Sequence, residues 1–522
     1  MTRPDPLFLV IDQGTQSVRA MLFDPQGALV ARSQQAIEPY MPAPPSVAEQ
    51  DAGYLWQQLC CACEQLWAEA ESLKDRVVSV SLTCQRASVV CLDRDMQPLR
   101  PAIIWLDQRR TADFPALKWW QAAGVEAVGM GETLRQFRAK AECNWLAATE
   151  PELWSRTRHY LLLSGYLTYR LVDQIIDCTA SQVGYLPFDY KRRCWAGPLD
   201  LKWQALRVKR DQLPPLKEPG ETLGTITAHA SEQTGIPAGL PLVASGADKA
   251  CEVLGSGAMS ADVGHLSYGT TATFNTCNSK YVEPIRFVPA YPAALPDHFN
   301  SEVIVHRGYW MVNWFKREFG QQEMAQAQAQ GAAVEPLFDD LLHATPPGAM
   351  GLVLQPFWSP GVRVPGPEAK GAVIGFGDVH TRAHLYRAII EGIGYALREG
   401  KERLQQRNGV KISALRVSGG GSQSDAVMQI TADIFGLPAV RPHTFETSGL
   451  GAAINSAVAS GVHGSYPEAV AAMTHQGDVF TPDPDNAALY DALFNQVYRD
   501  LYGRLAPLYR RIRDITGYPR QY

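Results

Sequence analysis

The sequence has no apolar run long enough to cross a bilayer. The most apolar-looking tract, 449–462, is broken by Asn455, Ser456 and Ser460 and falls short of the roughly 20 residues a spanning helix needs. Net charge is small, −5 over 522 residues, which excludes a general attraction to nucleic acid or to an anionic membrane. Cysteine is sparse. The 10 thiols suit a reducing compartment better than a disulfide framework. One Cys-x-x-Cys spacing, within Cys60-Cys61-Ala62-Cys63, lies in a helical pattern with Leu55, Leu59, Leu66 and Ala70, and no second Cys or His pair follows nearby. It reads as a packed helix, not as a zinc or redox site. The Gly-x-Gly-x-x-Gly fingerprint is missing, which argues against a dehydrogenase. Met1 to Pro6 lead straight into an apolar strand and leave no space for a signal peptide. The expectation is a cytoplasmic protein with no nucleic-acid and no membrane partner.

What the chain does have is length and core. At 522 residues and 46% hydrophobic content it exceeds what one core supports and fits two packed domains. Apolar strands are expected at 8–12, 18–23, 28–33, 77–82 and 89–92, with Asp51 capping a long helix through Leu73. Pro39 to Val47 reads as an extended, Pro-rich passage. Residues 111–213 are mostly helical and look like an insertion into an α/β frame. The second half repeats the theme, with strands at 266–274, 301–306, 351–355 and 415–417 and helices at 311–319, 383–405, 425–435 and 448–460. Pro356 to Gly371 reads as a loop, and 466–522 as a helical carboxy-terminal cover.

Three strand ends carry chemistry. Phe8 to Asp12 runs into Asp12-Gln13-Gly14-Thr15, and His265 to Tyr268 runs into Gly269-Thr270. Gly-Thr turns offer backbone N–H groups and hydroxyls to phosphate. Between them in sequence, a short apolar strand delivers Asp248 to the start of a helix, among Ser245, Gly246, Ala247 and Ala250. An Asp there serves either as a helix cap or, with small neighbours leaving room for a ligand, as a catalytic base. Two Gly-Thr turns with that Asp suggest a split nucleotide site around a carboxylate. Gly419-Gly420-Gly421, between a strand and a helix, is a phosphate loop by type or simply a tight turn that needs glycine.

The order of these pieces resembles the FGGY carbohydrate kinases, which include glycerol kinase, xylulokinase and ribulokinase. The likeness runs nearly end to end. It rests on Asp12-Gln13-Gly14-Thr15-Gln16-Ser17-Val18-Arg19, Thr83-Cys84-Gln85-Arg86, Trp105-Leu106-Asp107, Gly246-Ala247-Asp248, Tyr268-Gly269-Thr270, Gly419-Gly420-Gly421 and Gly449-Leu450-Gly451-Ala452-Ala453. The resemblance implies an α/β protein of two actin-like ATPase (ribonuclease-H-like) domains around a deep interdomain cleft. Residues 1–256 would bind the acceptor and 257–522 ATP. It also implies Mg²⁺ at Asp12 and Asp248, with Asp248 as the base. Thr15 and Gln16 would face the transferred phosphate, Gly269 and Thr270 the nucleotide phosphates, and Gly420, Gly421 and Asp425 the adenosine. Arg86, Trp105 and Phe137 would line the acceptor pocket. The partners would be ATP and a small carbohydrate. A homodimer is one admissible assembly.

Departures from the family pattern concern the acceptor. Where glycerol kinases carry Gln-Arg-Glu-Thr, this chain has Gln85-Arg86-Ala87-Ser88. The Gln-Met-His of xylulokinases is absent too. After the base stands Lys249, where those families have Gln or Asn. The family Lys three residues before Trp145 is Glu142, with Lys140 two residues earlier. Ala87 and Lys249 together would move the pocket toward positive charge and toward an acceptor with a ketose carbonyl or a sugar-acid carboxylate; the expected acceptor is a ketopentose such as xylulose or ribulose, or a related polyol or sugar acid. In the competing reading Lys249 pairs with Glu252, three residues along the helix. Two other functions share the nucleotide motifs. One is an actin-like ATPase without a sugar acceptor. The other is an inactive family member kept for binding or regulation.

Overall fold

The computed structural model describes residues 5–38, 46–361 and 364–518. The Pro-rich passage up to residue 45 and the first four residues lie outside them.

The chain is built on one strand plan used twice. The first sheet contains β1 (Leu7–Gln13), β2 (Ser17–Phe23), β3 (Leu29–Ala36), β4 (Val77–Cys84), β5 (Thr222–Thr225) and β6 (Pro241–Ala247) in the order β5-β6-β4-β1-β2-β3. β1, β2 and β3 run antiparallel, while β4 and β6 lie parallel to β1. β1 is buried along its whole length. Such a continuous apolar strand is what a sheet covered on both faces requires. Between β3 and β4 runs α1 (Ala52–Ala70), and after β6 comes α2 (Asp248–Gly255).

The second sheet contains β7 (Val263–Tyr268), β8 (Ala272–Asn278), β9 (Tyr291–Pro292), β10 (Phe299–Val305), β11 (Ala414–Ser418), β12 (Ala439–Pro442) and β13 (Gln476–Phe480), in the order β9-β10-β8-β7-β11-β12-β13. Again the first three main strands are antiparallel and the next two parallel: β10-β8-β7-β11-β12 repeats β3-β2-β1-β4-β6. Its helices are α3 (Trp310–Phe319), α4 (Arg382–Asn408), α5 (Asp425–Phe435) and α6 (Thr447–Ala459).

α2 follows β6 as α6 follows β12, and the two helices cross with almost no space between backbones. A Cβ on Gly255 would meet the Thr447 carbonyl at 2.0 Å, and one on Gly451 the Cys251 carbonyl at 1.9 Å. Small residues at the crossing are therefore obligatory. Around it Phe8, Val10, Met21 and Phe23 of the first sheet share a core with Leu254, Leu450 and Ile454. The halves thus meet on a common apolar floor, in addition to the cores beneath each sheet.

Several boundaries differ from the sequence expectations. Asp51 does cap α1, accepting from the Tyr54 N–H at 2.6 Å. The helix ends at Ala70, however, and 71–76 tighten into a 3₁₀ turn. Cys63 is buried inside α1, and all ten cysteines are free thiols. The 111–213 region is not only helical. His159–Leu162 is a strand that joins Val89–Leu92, Ala102–Ile103 and Glu49–Gln50 in a small sheet. The carboxy-terminal cover also contains β13, which pairs with β12 and forms that edge of the sheet. Its Gln and Gly content hid it. Among the described residues no helix is long and apolar enough to cross a membrane.

Candidate active site

The carboxyl ends of three neighbouring parallel strands converge. In register, Asp12 lies beside Thr83, and Cys84 beside Ala247. β1 therefore delivers Asp12, β4 delivers Gln85-Arg86-Ala87, and β6 delivers Asp248 to one edge of the sheet. Open α/β sheets hold ligands at such carboxyl edges.

Asp248 is not a helix cap. The cap position of α2 is Ala247, and Asp248 is the first helical residue. Its Oδ1 accepts the Lys249 N–H at 2.7 Å. Among the described residues its Oδ2 has no hydrogen-bond partner, so that oxygen is open to take a proton. Burial raises the Asp248 pKa, opposed by Lys249 and Arg86. Asp12 is 5% exposed. Burial pushes it up to about 6, with Asp248 and Glu446 adding to the rise and Arg19 opposing it. Arg19 donates to Asp12 at 3.1 Å.

Two hairpin turns face this edge with unused N–H groups. Gly14 donates back to Ser17 at 3.0 Å. Among the described residues no protein acceptor takes the N–H of Thr15 or Gln16, and Gln16 is exposed. The Thr15 hydroxyl donates to Gln85 at 2.7 Å and accepts from Trp105 Nε1 at 2.8 Å. In the second half the turn after β7 is held by its oxygens. Tyr309 donates to the Gly269 carbonyl at 3.1 Å and Trp310 to that of Thr270 at 3.3 Å. The N–H groups of Gly269, Thr270 and Thr271 meet no acceptor among the described residues. Successive free N–H groups of this kind form an anion nest. Gly308 permits the close approach, since a Cβ there would sit 2.4 Å from Ala272.

A cavity of about 260 Å³ lies between the halves. Ala87, Trp105 and Tyr185 form one wall, Thr270, His306 and Arg307 another. Ala87 sits at φ 53°, a left-handed conformation that a β-carbon makes unfavourable by about 1–2 kcal/mol. Strain of this sort collects at ligand sites. Not every expected lining residue is here. Phe137 stands behind Tyr185, packed edge-on at 5.6 Å. Arg86 lies in a separate small recess with Tyr291 and Glu302. Lys249 turns from the cavity to Glu252 Oε2 at 2.7 Å and Ser267 at 2.6 Å. The pairing with Glu252 is the arrangement the geometry adopts.

Gly419-Gly420-Gly421 lies at the end of β11, beside the turn that ends the neighbouring parallel strand β7. Gly419, at φ 84°, packs on Tyr268 backbone, and Gly421 on the Tyr309 ring, while Gly420 borders open space. Asp425 opens α5 and is ion-paired with Arg441 at 2.6 Å. Sequence reasoning missed Tyr185, His306 and Arg307. His306 follows a strand whose end was legible, but nothing in its local pattern marks a cavity.

The repeated strand plan, the two anion nests and the carboxylates between them define a two-domain actin-like fold with a phosphotransferase cleft. Residues 7–255 match the N-terminal domain of the FGGY family of carbohydrate kinases, and residues 264–460 its C-terminal domain. The chain belongs to this family and is a carbohydrate kinase, for which ATP is a substrate. It is 29% identical over 493 residues to an uncharacterised sugar kinase, YgcE, of Escherichia coli (strain K12), covering 94% of this chain and 92% of that one. It is 27% identical over 511 residues to xylulose kinase of Lactococcus lactis subsp. lactis (strain IL1403), covering 97% and 99%. Among solved structures, gluconate kinase from Lactobacillus acidophilus superposes with a TM-score of 0.80 at 22% identity, covering 97% of this chain and 100% of that one.

Proposed function

We propose that this kinase transfers the γ-phosphoryl group of ATP to a hydroxyl of a small carbohydrate, with Asp248 as general base. The acceptor is a ketopentose such as xylulose or ribulose, or a related polyol or sugar acid. Residues 1–256 hold it, and residues 257–522 hold ATP. The observation that carries this reading is the free Oδ2 of a half-buried Asp248 at the sheet edge that also presents Asp12 and Ala87. An alcohol must lose its proton as it attacks phosphorus. A carboxylate within reach contributes about 10²–10⁴-fold, and the raised pKa of Asp248 makes it the better base.

Phosphoryl transfer otherwise needs positioning and charge neutralisation. The free N–H groups of Thr15, Gln16, Gly269 and Thr270 suit the phosphates. Gly420, Gly421 and Asp425, just after the strand beside that second turn, suit the adenosine. Asp248 adds to the raised pKa of Asp12, and burial raises both, which fits a divalent cation. Mg²⁺ takes one or two carboxylates and completes its shell with water and phosphate. Asp12 and Asp248 would hold it, and it would supply charge neutralisation at the transferred group.

The test is an ATP-consumption screen over polyols, ketopentoses and sugar acids, followed by Asp248→Asn with the best acceptor. Turnover should fall by roughly 10²–10⁴ with ATP still bound. Near-normal turnover in the variant would remove Asp248 from the mechanism.

A further inference from the structure

The interlobe cavity carries an excess of positive charge on its acceptor side. Arg109 faces it but is neutralised by Glu49 at 2.6 Å and Asp107 at 2.7 Å. Arg110 also faces it, and its one hydrogen-bond partner among the described residues is the Gln136 amide at 2.8 Å. Lys140, at the end of the helix Gly131–Lys140, faces it with no hydrogen-bond or ion-pair partner among the described residues. Neither Arg110 nor Lys140 has a carboxylate partner among those residues. The remaining carboxyl of the lining is Glu142, which makes no ion pair there. Burial, with Asp107 adding to it, pushes Glu142 up to about 8, so it is protonated at neutral pH. Lys140 is lowered to about 8 by burial and by Arg110, and stays mostly charged. His306 across the cavity is held at about 4 by burial, then by Lys140, Arg307 and Arg86, and is neutral.

Unpaired cations in a half-enclosed site are costly unless a ligand anion answers them. The anion has two possible sources, since both a carboxylate and a phosphate would satisfy them. Position separates the two. Arg307 stands beside Thr270, on the wall that presents the second anion nest. Arg110 and Lys140 come from the first half of the chain, as do Ala87, Trp105 and Tyr185. We infer that Arg110 and Lys140 seat a carboxylate of the acceptor, so that the preferred substrate is a sugar acid and not a neutral ketose or polyol. This rests on the acceptor-phosphorylation reading above and narrows it.

The experiment compares five- and six-carbon aldonates with alditols and ketoses of the same carbon number, using the full-length chain with ATP and Mg²⁺. An acid should exceed its neutral counterparts by tenfold or more in kcat/KM. Lys140→Met should raise KM for that acid roughly tenfold to a hundredfold, the scale of a charge-assisted hydrogen bond, with less than a twofold change in KM for ATP. Arg110→Gln is the second variant should Lys140→Met fold poorly. Equal or better use of neutral acceptors by the wild type overturns the inference and leaves the kinase reading standing. So does a variant that loses affinity for ATP and not for the acid, which would give the cations to the nucleotide. If neither acids nor neutral sugars stimulate ATP consumption, the acceptor-phosphorylation reading falls and takes this inference with it.

Discussion

Arg86 Nη2 and Glu302 Oε1 meet at 2.6 Å, one from the turn after β4 in the first half and the other from β10 in the second. The Glu302 side chain is 2% exposed, and Arg86 also lies over the Tyr291 ring at 5.6 Å. The pair bridges the two halves, so any opening of the lobes there must break it. It also explains why Arg86 does not reach the larger cavity.

Removing one partner of this buried pair leaves a desolvated charge behind, which costs about 3–5 kcal/mol. Glu302→Gln and Arg86→Met should each lower unfolding free energy by an amount of that order. The double variant should lose clearly less than the sum of the two, read from urea unfolding as a double-mutant cycle. Additive losses would mean the contact is energetically idle.

Lys249 belongs to a hydrogen-bonded network with Glu252 and Ser267. It donates to Glu252 and Ser267, while Ser267 and Ser418 both donate to Glu252 Oε1, at 2.8 and 2.6 Å. Burial pushes Glu252 up, yet Lys249, His265 and the Ser418 hydroxyl override it and hold it at about 2. Lys249→Gln should therefore destabilise the protein by several kcal/mol and change KM for the acceptor by less than tenfold. An unchanged melting temperature with a large acceptor effect would restore the specificity role.

This network shows where sequence reading stops. The strand ends Asp12, Asp248 and Gly269-Thr270 were legible because an apolar run followed by small residues is a local pattern. The doubled strand plan was legible from the same runs. Whether Lys249 pointed at Glu252 or at a ligand was not, because both satisfy an ammonium and the choice depends on Ser267 from another strand. Lys140 and Glu142 were visible as departures near Trp145. Their exposure to a cavity depends on His306 and Arg307, more than 160 residues later in the chain. Phe137 was a fair aromatic candidate, yet it is Tyr185, packed edge-on against it, that lines the space.

Gly269 offers a clean test of the second anion nest. Its φ lies outside the left-handed region, and an added Cβ would meet only the Thr271 carbonyl at 3.5 Å and Lys249 Nζ at 4.0 Å. The fold accepts a methyl there. Gly269→Ala should leave the melting temperature within a degree or two and weaken ATP binding, because the methyl occupies the space where phosphate approaches the backbone. Unaltered affinity by titration calorimetry would make the turn structural only.

His265 is fully buried on β7 beside Glu252, Lys249 and Ser418. Ser418 gives its proton to Glu252, so the His265 Nε2–H donates to Ser418, at 2.8 Å. Burial lowers the His265 pKa to about 4, with Lys249 lowering it further and Glu252 opposing. An unfolded histidine titrates near 6.5. Between those values the unfolded chain binds a proton that the folded chain does not. Stability contributed by this group is therefore whole above about pH 6.5 and is lost as pH falls toward 4, by up to about 3 kcal/mol. Below that window Glu252 acts with the same sign, since its folded value of about 2 lies under the usual carboxylate range. His265→Gln keeps an amide donor for Ser418 and removes the titration. Its unfolding free energy should fall less steeply than that of the wild type between pH 6.5 and 4.5, measured in urea at matched ionic strength. Parallel curves for the two proteins would show that His265 takes up its proton in the folded state as readily as in the unfolded chain.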